Sequence, residues 1–295
     1  EKKSNDQTTY YPYALDRHKG ERDLYITAYP SSCGFYKLDP KISERFGLDD
    51  YLNIIGKEKV ETIDLDTFVN ENNIESIDFI KLDTEGSELD ILKGGGKTVS
   101  SVLGLSVEVE FVEFHKGQPL FSDVDQYLRT IGFELYDFDL NRSSKKALTP
   151  YASANLDIGQ IIFGQALYLR DPVEKLDSDN SDKEFWYESR ILKMATIQEL
   201  FNLPDCSLEL IQKCESMGLF KSHEIKKWQN LLVPQLDGKN VNYDEYIYQL
   251  RVAKPRIDYN KKRKYGKVLK IVPWPFNVII RRALLKIRDF INLFL

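Results

Sequence analysis

The sequence predicts an α/β domain followed by a small helical region and a basic tail. Through residues 1–172, extended apolar segments alternate with segments of helical periodicity, which favours a parallel sheet with right-handed helical crossovers. A polar linker opens residues 173–250, where apolar residues recur at helical spacing between proline and glycine breaks. Residues 251–295 differ again in charge, so we treat them as a third part of the chain.

The most informative stretch is Ile77 to Gly96, with the sequence IDFIKLDTEGSELDILKGGG. It begins with a near-continuous apolar run, which is typical of a buried strand. An acidic turn over 83–86 follows, and then a short helix over 87–93. We expect the glycines at 94–96 to end that helix. Because they would follow a helix and not open one, we do not expect them to hold an anion.

The acidic turn supplies the first candidates for chemistry. Ligands of open α/β sheets bind just past the carboxyl ends of the strands, where Asp83 and Glu85 are expected to lie. Asp83 is predicted to act as a general base on an acceptor. Glu85 could assist it, or could be held at the helix N-terminus by the helix dipole.

Two further carboxylates lie on the next predicted strand, Leu103 to Phe111. Glu108 and Glu110 are two positions apart, so their side chains share one face of the strand and lie roughly 7 Å apart. Buried carboxylates are costly unless they are paired, hydrated or bound to a cation. Together with Asp83 they could form a Mg²⁺ site. The alternative is a set of ion bridges, with Lys81 as one partner.

Several local pairings can also be predicted. Thr9 to Leu15 is predicted to be a strand, and Asp23 to Thr27 to pair back on it as a hairpin. Asp66 is predicted to cap the helix that follows it. Phe133 to Phe138 and Gln160 to Arg170 are predicted to finish the sheet as an antiparallel pair at one edge.

Three segments together resemble the FkbM-type methyltransferases. They are LDTF at 65–68, the run from Ile77 described above, and VLGLSVEVEF at 102–111. Residues 13–27, 117–138 and 164–172 resemble other segments of the family in the same order, so the likeness covers about residues 10–172. The resemblance implies an S-adenosylmethionine-dependent enzyme with the Rossmann-like class I methyltransferase fold.

The resemblance also implies roles for individual residues. Asp16 resembles the family position near the adenine of the cofactor, and Ser32 belongs to the loop that covers the pocket. Asp83 is implied both in cofactor binding and in catalysis. His115 stands where relatives tend to carry a tyrosine, and it could be a base near pH 7 or a surface residue.

One family feature does not appear in the sequence. Class I methyltransferases bind the cofactor through a glycine-rich loop after the first strand, and no such loop precedes Tyr10. The sequence also begins with Glu1. We therefore expect that the fold is N-terminally truncated here, and that the segment with the glycine loop is missing from this sequence.

Charge separates the tail from the rest of the chain. The net charge is −5, but residues 251–295 carry thirteen Lys and Arg against two Asp, which gives this segment +11 and leaves −16 on the remainder. From Phe276 onward the tail has an apolar face and an arginine-rich face, which is typical of a helix at an anionic membrane surface. The alternative is that it docks on the acidic body of the same protein. Nucleic acid is not an expected partner, because the body would repel phosphate.

Composition limits the cellular setting. The three cysteines, Cys33, Cys206 and Cys214, lack the spacing of zinc ligands and are typical of reduced thiols in a cytosol. No apolar run is long enough to span a bilayer. We expect a cytoplasmic protein that is peripheral to the membrane if the tail binds there.

Two functions remain open from the sequence. The first is an S-adenosylmethionine-dependent methyltransferase that acts on a hydroxyl of a sugar, a glycolipid or another small metabolite. The second is a non-catalytic binding or scaffold protein that keeps the methyltransferase sheet and uses its basic tail to contact a membrane or a partner.

Overall fold

The computed structural model describes residues 3–4, 8–148, 158–176, 184–236 and 238–253. The chain divides into two units, one that ends at Asp171 and one that begins at Pro172. The predicted amphipathic helix of the tail lies outside the described residues, so its membrane contact stays a prediction.

Strands and helices alternate through most of the first unit. Its strands are β1 (Lys3–Ser4), β2 (Thr9–Tyr10), β3 (Ala14–Asp16), β4 (Gly20–Thr27), β5 (Ile54–Asp64), β6 (Phe79–Leu82), β7 (Gly104–Glu110), β8 (Glu134–Ser143) and β9 (Gln160–Leu169). Its helices are a 3₁₀ turn (Pro30–Ser32), α1 (Pro40–Phe46), α2 (Asp49–Leu52), α3 (Leu65–Glu71), α4 (Glu88–Gly94), α5 (Gly96–Ser101) and α6 (Phe121–Thr130). The predicted α/β class is therefore confirmed for this unit.

The larger sheet has the strand order β6-β7-β9-β8. Strands β6 and β7 are parallel, whereas β9 runs antiparallel to both of its neighbours, β7 and β8. The predicted antiparallel pair is confirmed, but only β8 lies at the edge. The reason is that the second half of β9, from Ala166 to Leu169, is fully buried and needs a strand on each side.

The smaller sheet corrects the predicted hairpin. Its order is β3-β5-β4, so β3 and β4 do not pair with each other but flank β5 on opposite sides. Both strands meet β5 at Thr62, which pairs with Ala14 and with Gly20. The chain crosses over the end of β5 between them, where the Thr62 hydroxyl donates to the His18 carbonyl at 3.1 Å. Sequence proximity favoured a hairpin, but the long strand β5 provides partners for both segments.

The core of the first unit is built on β7. Leu105, Val107 and Val109 point to one face of this strand and are buried almost completely. They pack with residues of α4 and α6, such as Leu92 and Leu128, which are also fully inaccessible to solvent. The opposite face of the same strand carries Glu108 and Glu110. The apolar face therefore fixes the position of the acidic one.

The capping predicted for Asp66 is wrong. Asp64 is the residue that caps α3, because its carboxylate accepts from the Thr67 amide at 2.8 Å. Asp66 lies in the first turn of α3 and caps a different helix, since its carboxylate accepts from the amides of Lys97 and Thr98 at the start of α5. These bonds hold the pKa of Asp66 below its usual value in spite of its partial burial. Asp66 thus links α3 to α5.

The prediction for the three glycines is also partly wrong. They do end α4, but Gly96 opens α5 one residue later. Gly94 and Gly95 allow close packing. A Cβ added at Gly94 would lie 2.5 Å from the Asp16 carbonyl oxygen, and one added at Gly95 would lie 2.6 Å from the Leu65 side chain. The α5 amides are already bonded to Asp66, so the glycines serve packing.

The second unit is helical within the described residues. It contains α7 (Pro172–Lys175), α8 (Glu188–Leu200), α9 (Pro204–Ser216), α10 (Ser222–Leu232) and α11 (Tyr243–Ala253). Its core joins α9 to α10 through Ile211, Ile225 and Trp228, and the Trp228 ring packs edge-on against Phe220. Within the described part of the chain, no helix has both the length and the apolar character that a membrane crossing needs.

The close packing of Gly94 leads to a stability prediction. Gly94→Ala places a methyl group against the backbone of Asp16 and Arg17, and should lower the free energy of unfolding by about 1–3 kcal/mol. Gly96→Ala is the matched control, because nothing lies within 4 Å of an added Cβ there. Urea denaturation of the two variants measures the difference. Equal midpoints would contradict the packing role.

Candidate active site

A tight acidic turn follows β6 and is held by Glu88. The Glu88 carboxylate accepts from the Thr84 amide at 2.6 Å, from the Thr84 hydroxyl at 2.9 Å and from the Gly86 amide at 3.0 Å. Glu88 is almost fully buried, and burial raises its pKa although these bonds favour the charged form. The sequence analysis did not identify this residue, although an acid in the first turn of a helix is a known signal of such a cap.

The turn forces Glu85 into an unusual backbone conformation. Its φ is +55°, in the left-handed region that non-glycine residues rarely adopt. Gly34 packs directly on it, since an added Cβ at Gly34 would lie 3.0 Å from the Glu85 carbonyl oxygen and 3.3 Å from its Cβ. Strain of this kind costs about 1–3 kcal/mol and concentrates at functional sites.

The environment of Glu85 makes its carboxyl group a base near neutral pH. Partial burial raises its pKa to about 7, and the charges of Asp83 and Glu88 add to the rise. A group with such a pKa is half ionised at physiological pH. It can therefore both accept and return a proton under ordinary conditions.

The structure brings Glu108 and Glu110 to the same region. Leu82 of β6 pairs with Val107 of β7, so the turn after β6 lies level with the acidic face of β7. Burial raises the pKa of Glu108 to about 9, with further contributions from Asp83, Glu85 and Glu110. Burial also raises the pKa of Glu110 well above its ordinary value. Glu108 therefore holds its proton at neutral pH.

The predicted Mg²⁺ site gains no support from this arrangement. Among the described residues, no group of three or more His, Cys, Asp or Glu side chains has the geometry to hold a metal ion. Asp83 is exposed and forms an ion pair with Lys81. Lys81, the partner predicted for an ion bridge to the two glutamates, thus pairs with Asp83 and not with Glu108 or Glu110.

The Asp16 carboxylate forms an ion pair with a residue of the same chain. It is buried, and its carboxylate accepts from Arg22 at 2.8 Å. The same guanidinium reaches Asp90 of α4 at 3.2 Å, and the Tyr36 hydroxyl donates to Asp90 at 2.7 Å. Arg22 also lies over the rings of Phe35 and Tyr36. The network ties β3, β4 and α4 together and holds the Asp16 carboxylate through Oδ1.

The loop that carries Ser32 adjoins the acidic turn. Ser32 ends the 3₁₀ turn and donates its amide to the Tyr29 carbonyl at 2.9 Å. Gly34 exchanges backbone hydrogen bonds with Tyr25 of β4, which fixes the loop to the smaller sheet. Because Gly34 also contacts Glu85, this loop and the acidic turn form one continuous surface.

His115 is a buried residue, so the surface alternative for it is wrong. Only 4% of it is exposed, and burial lowers its pKa. Gln118, which is equally buried, places its side-chain oxygen 2.6 Å from the His115 amide and 2.6 Å from the ring Nδ1. No sequence signal marks Gln118, because a lone glutamine has no diagnostic spacing.

Two hollows open on the first unit away from the acidic turn. One of about 390 Å³ is lined by Arg22, Phe35 and neighbours on β4 and β5. The other, of about 520 Å³, lies between α4 and α6 and includes Gln118 in its lining. Neither is lined by Glu85, Glu108 or Glu110, so the carboxylates and not the hollows mark the candidate site.

Comparison with known families found a similarity within the first unit. Residues 1–135 match the family model of the methyltransferase FkbM domain. This part of the chain is similar to a methyltransferase FkbM domain. The match confirms the resemblance read from the sequence, and it includes every candidate residue described above. The search of curated proteins and the search of solved structures found no match.

The raised pKa of Glu85 predicts a pH-dependent stability. The folded state holds the proton more tightly than the unfolded chain, so this stabilisation is complete below about pH 4.5 and is lost as the pH rises through about 7. Glu85→Gln should therefore be more stable than the native protein at pH 8, by on the order of 1–3 kcal/mol, and the gap should close toward pH 5.

Urea titrations at several pH values test this. Glu75→Gln, at an exposed position, is the control and should follow the native protein at every pH. If the difference in the free energy of unfolding between Glu85→Gln and the native protein did not change with pH, the conclusion that Glu85 is buried and ionisable would be wrong.

Proposed function

We propose that the protein is an S-adenosylmethionine-dependent methyltransferase that acts on a hydroxyl group of a small molecule. The observation that carries the proposal is Glu85, a strained carboxyl group with a pKa of about 7 beyond the carboxyl end of a parallel strand. Its position within the residues that match the FkbM domain supports methyl transfer as the reaction class. A hydroxyl acceptor needs a base, and the site supplies one.

The polar residues near the acidic turn suit the proposed cofactor in part. S-adenosylmethionine supplies an electrophilic methyl group on a positively charged sulfur, so the protein has to bind it, orient the acceptor and remove one proton. Asp83 at the strand end and Ser32 on the adjoining loop would hold its polar groups. Arg22 engages Asp16 through Oδ1, so Oδ2 would be the oxygen for the proposed contact near the adenine.

We assign the base role to Glu85 in preference to Asp83. Asp83 is exposed and paired with Lys81, which favours a role at the rim of the site. Glu85 is more buried and its pKa matches the working pH, where proton transfer is most effective. Glu108 keeps its proton at neutral pH, so it does not place a second full charge beside the base.

The basic tail supports a further part of the proposal. A segment with a net charge of +11 and an apolar face would bring the domain to an anionic membrane. Sedimentation with vesicles of anionic lipid compares the full chain with one that ends at residue 250. Equal pelleting of the two would contradict membrane contact by the tail.

The non-catalytic alternative assigns no role to Glu85. A scaffold protein does not need a strained carboxyl group with a pKa of about 7, so the intact turn favours an enzyme. Failure of the protein to transfer a methyl group to any alcohol would favour the scaffold.

Methyl transfer from tritiated S-adenosylmethionine to a panel of sugars and simple alcohols tests the base. Glu85→Gln should lower kcat/KM by about 10²–10⁴-fold, the usual contribution of a general base. In the native protein the rate should rise with pH through about 7, since the ionised carboxylate accepts the proton. Asp83→Asn is the comparison variant and should lose less than about tenfold. A larger loss in Asp83→Asn than in Glu85→Gln would return the base role to Asp83.

A further inference from the structure

The hydrogen bonds around Glu88 match a carboxylate and not a carboxylic acid. Oε1 accepts from the Thr84 amide at 2.6 Å and from the Thr84 hydroxyl at 2.9 Å, and Oε2 accepts from the Gly86 amide at 3.0 Å. A backbone amide can only donate, so a proton on either oxygen would compete with the amide from which that oxygen already accepts. Bonds of this kind favour the charged form of a buried carboxyl group.

The two amides bonded to Glu88 lie on either side of Glu85. Thr84 precedes it and Gly86 follows it, so one carboxylate closes the backbone around a single residue. The enclosed chain is left-handed at two successive positions, with a φ of +55° at Glu85 and +97° at Gly86. Ser87 supports the turn from the other side, since its hydroxyl donates to the Thr84 carbonyl at 3.1 Å. The direction of the Glu85 side chain therefore depends on Glu88.

The electrostatic surroundings of Glu85 are acidic. Within the described part of the chain, the carboxyl groups coupled to it come from the turn, from α4 and from β7: Asp83, Glu88, Glu108 and Glu110. The charge of Asp83 is paired with Lys81, and Glu108 keeps its proton at neutral pH. Glu88 is the buried member of this group whose negative charge is held by hydrogen bonds from the turn.

Two loops also approach the turn, and their titratable groups bond elsewhere. On the loop at Gly34, the Tyr36 hydroxyl donates to Asp90 at 2.7 Å. On the loop at Gln118, the ring Nδ1 of His115 lies 2.6 Å from the Gln118 oxygen. The ionisation of Glu85 is therefore governed by burial and by the neighbouring carboxyl groups.

We propose that Glu88 stays ionised and is the positioning residue for the base, because its carboxylate holds the backbone on both sides of Glu85. The inference rests on the proposed function, in which Glu85 takes the proton of the acceptor hydroxyl. Glu88 acts through Glu85, since the turn already occupies both of its oxygens. A base held at a fixed place loses less of its effect to misalignment. The negative charge of Glu88 also opposes the ionisation of Glu85 and so helps to keep its pKa at about 7.

Carbon NMR of the full chain, labelled with ¹³C in the glutamate side chains, tests the charge of Glu88 without any need for turnover. The carboxyl resonance of Glu88 should show an ionised group at pH 7, whereas that of Glu85 should titrate at about pH 7. A native Glu88 that is protonated at pH 7 would overturn the inference.

Glu88→Gln separates the two sides of the turn. The glutamine oxygen can still accept from Thr84, but the NH₂ group is a donor and cannot accept from the Gly86 amide. Hydrogen exchange of the Gly86 amide should therefore become about tenfold faster, and exchange of the Thr84 amide should change less. The midpoint of the Glu85 titration should fall by on the order of one pH unit, because a like charge is removed.

Glu75→Gln, at an exposed position, is the matched control and should leave both measurements at their native values. Unchanged exchange of the Gly86 amide in Glu88→Gln would overturn the positioning role, and so would an unchanged titration of Glu85. If Glu88→Gln fails to fold, the carbon spectrum of the native protein still decides.

The pH dependence of methyl transfer measures the consequence for the reaction, with the best acceptor from the panel of sugars and simple alcohols. In Glu88→Gln the rise of the rate should occur at a lower pH than in the native protein. Its kcat should fall by about 10- to 100-fold while KM changes little, because Glu88 does not touch the acceptor. A native pH profile and a native kcat in this variant would overturn the inference. Failure of the native protein to use any acceptor would contradict the proposed function, whereas the NMR measurements judge the positioning role separately.

Discussion

The site depends on carboxyl groups that lie in the turn after β6, at the start of α4 and along the neighbouring strand β7. Burial raises the pKa values of Glu85, Glu88, Glu108 and Glu110, and nearby carboxylates add to the rise at Glu85, Glu108 and Glu110. Such a cluster is stable only if most of its members keep their protons or accept hydrogen bonds. Glu88 accepts three hydrogen bonds, Glu108 keeps its proton at neutral pH, and Glu85, with a pKa of about 7, ionises near neutral pH.

The rest of the first unit keeps this cluster in place. The apolar face of β7 lies in the core and turns its acidic face toward the turn after β6. Gly34 allows the chain to approach Glu85 more closely than a side chain would permit. Arg22 joins Asp16 to Asp90 and so connects the smaller sheet to α4. Each contact limits the movement of the turn, and a rigid turn is what a strained residue requires.

The parts of this structure that could be predicted from the sequence are those that produce a local residue pattern. The alternation of Leu105, Val107 and Val109 with Glu108 identified β7 and its acidic face, and the apolar run before Asp83 identified β6. The pairing of β3 and β4 could not be predicted in this way, because β5 lies some thirty residues or more further along the chain. The helix that Asp66 caps was predicted wrongly for the same reason, because its partners are the amides of α5, about thirty residues further along the chain.

The candidate site could likewise be predicted only in part. Its acidic residues were evident from their spacing, but their separate roles depend on burial and on hydrogen bonds that no spacing reveals. The left-handed φ of Glu85 arises from the turn that Glu88 closes. The ion pair of Asp16 with Arg22 could not be predicted, because it depends on where β4 lies in the sheet.

The proposed function requires that this chain bind an adenosyl cofactor beside the buried carboxylates. Calorimetric titration of the chain with S-adenosylhomocysteine tests it most directly. We predict saturable binding with a dissociation constant on the order of micromolar, or about −8 kcal/mol. A titration that shows no binding heat at any temperature or pH would contradict the claim.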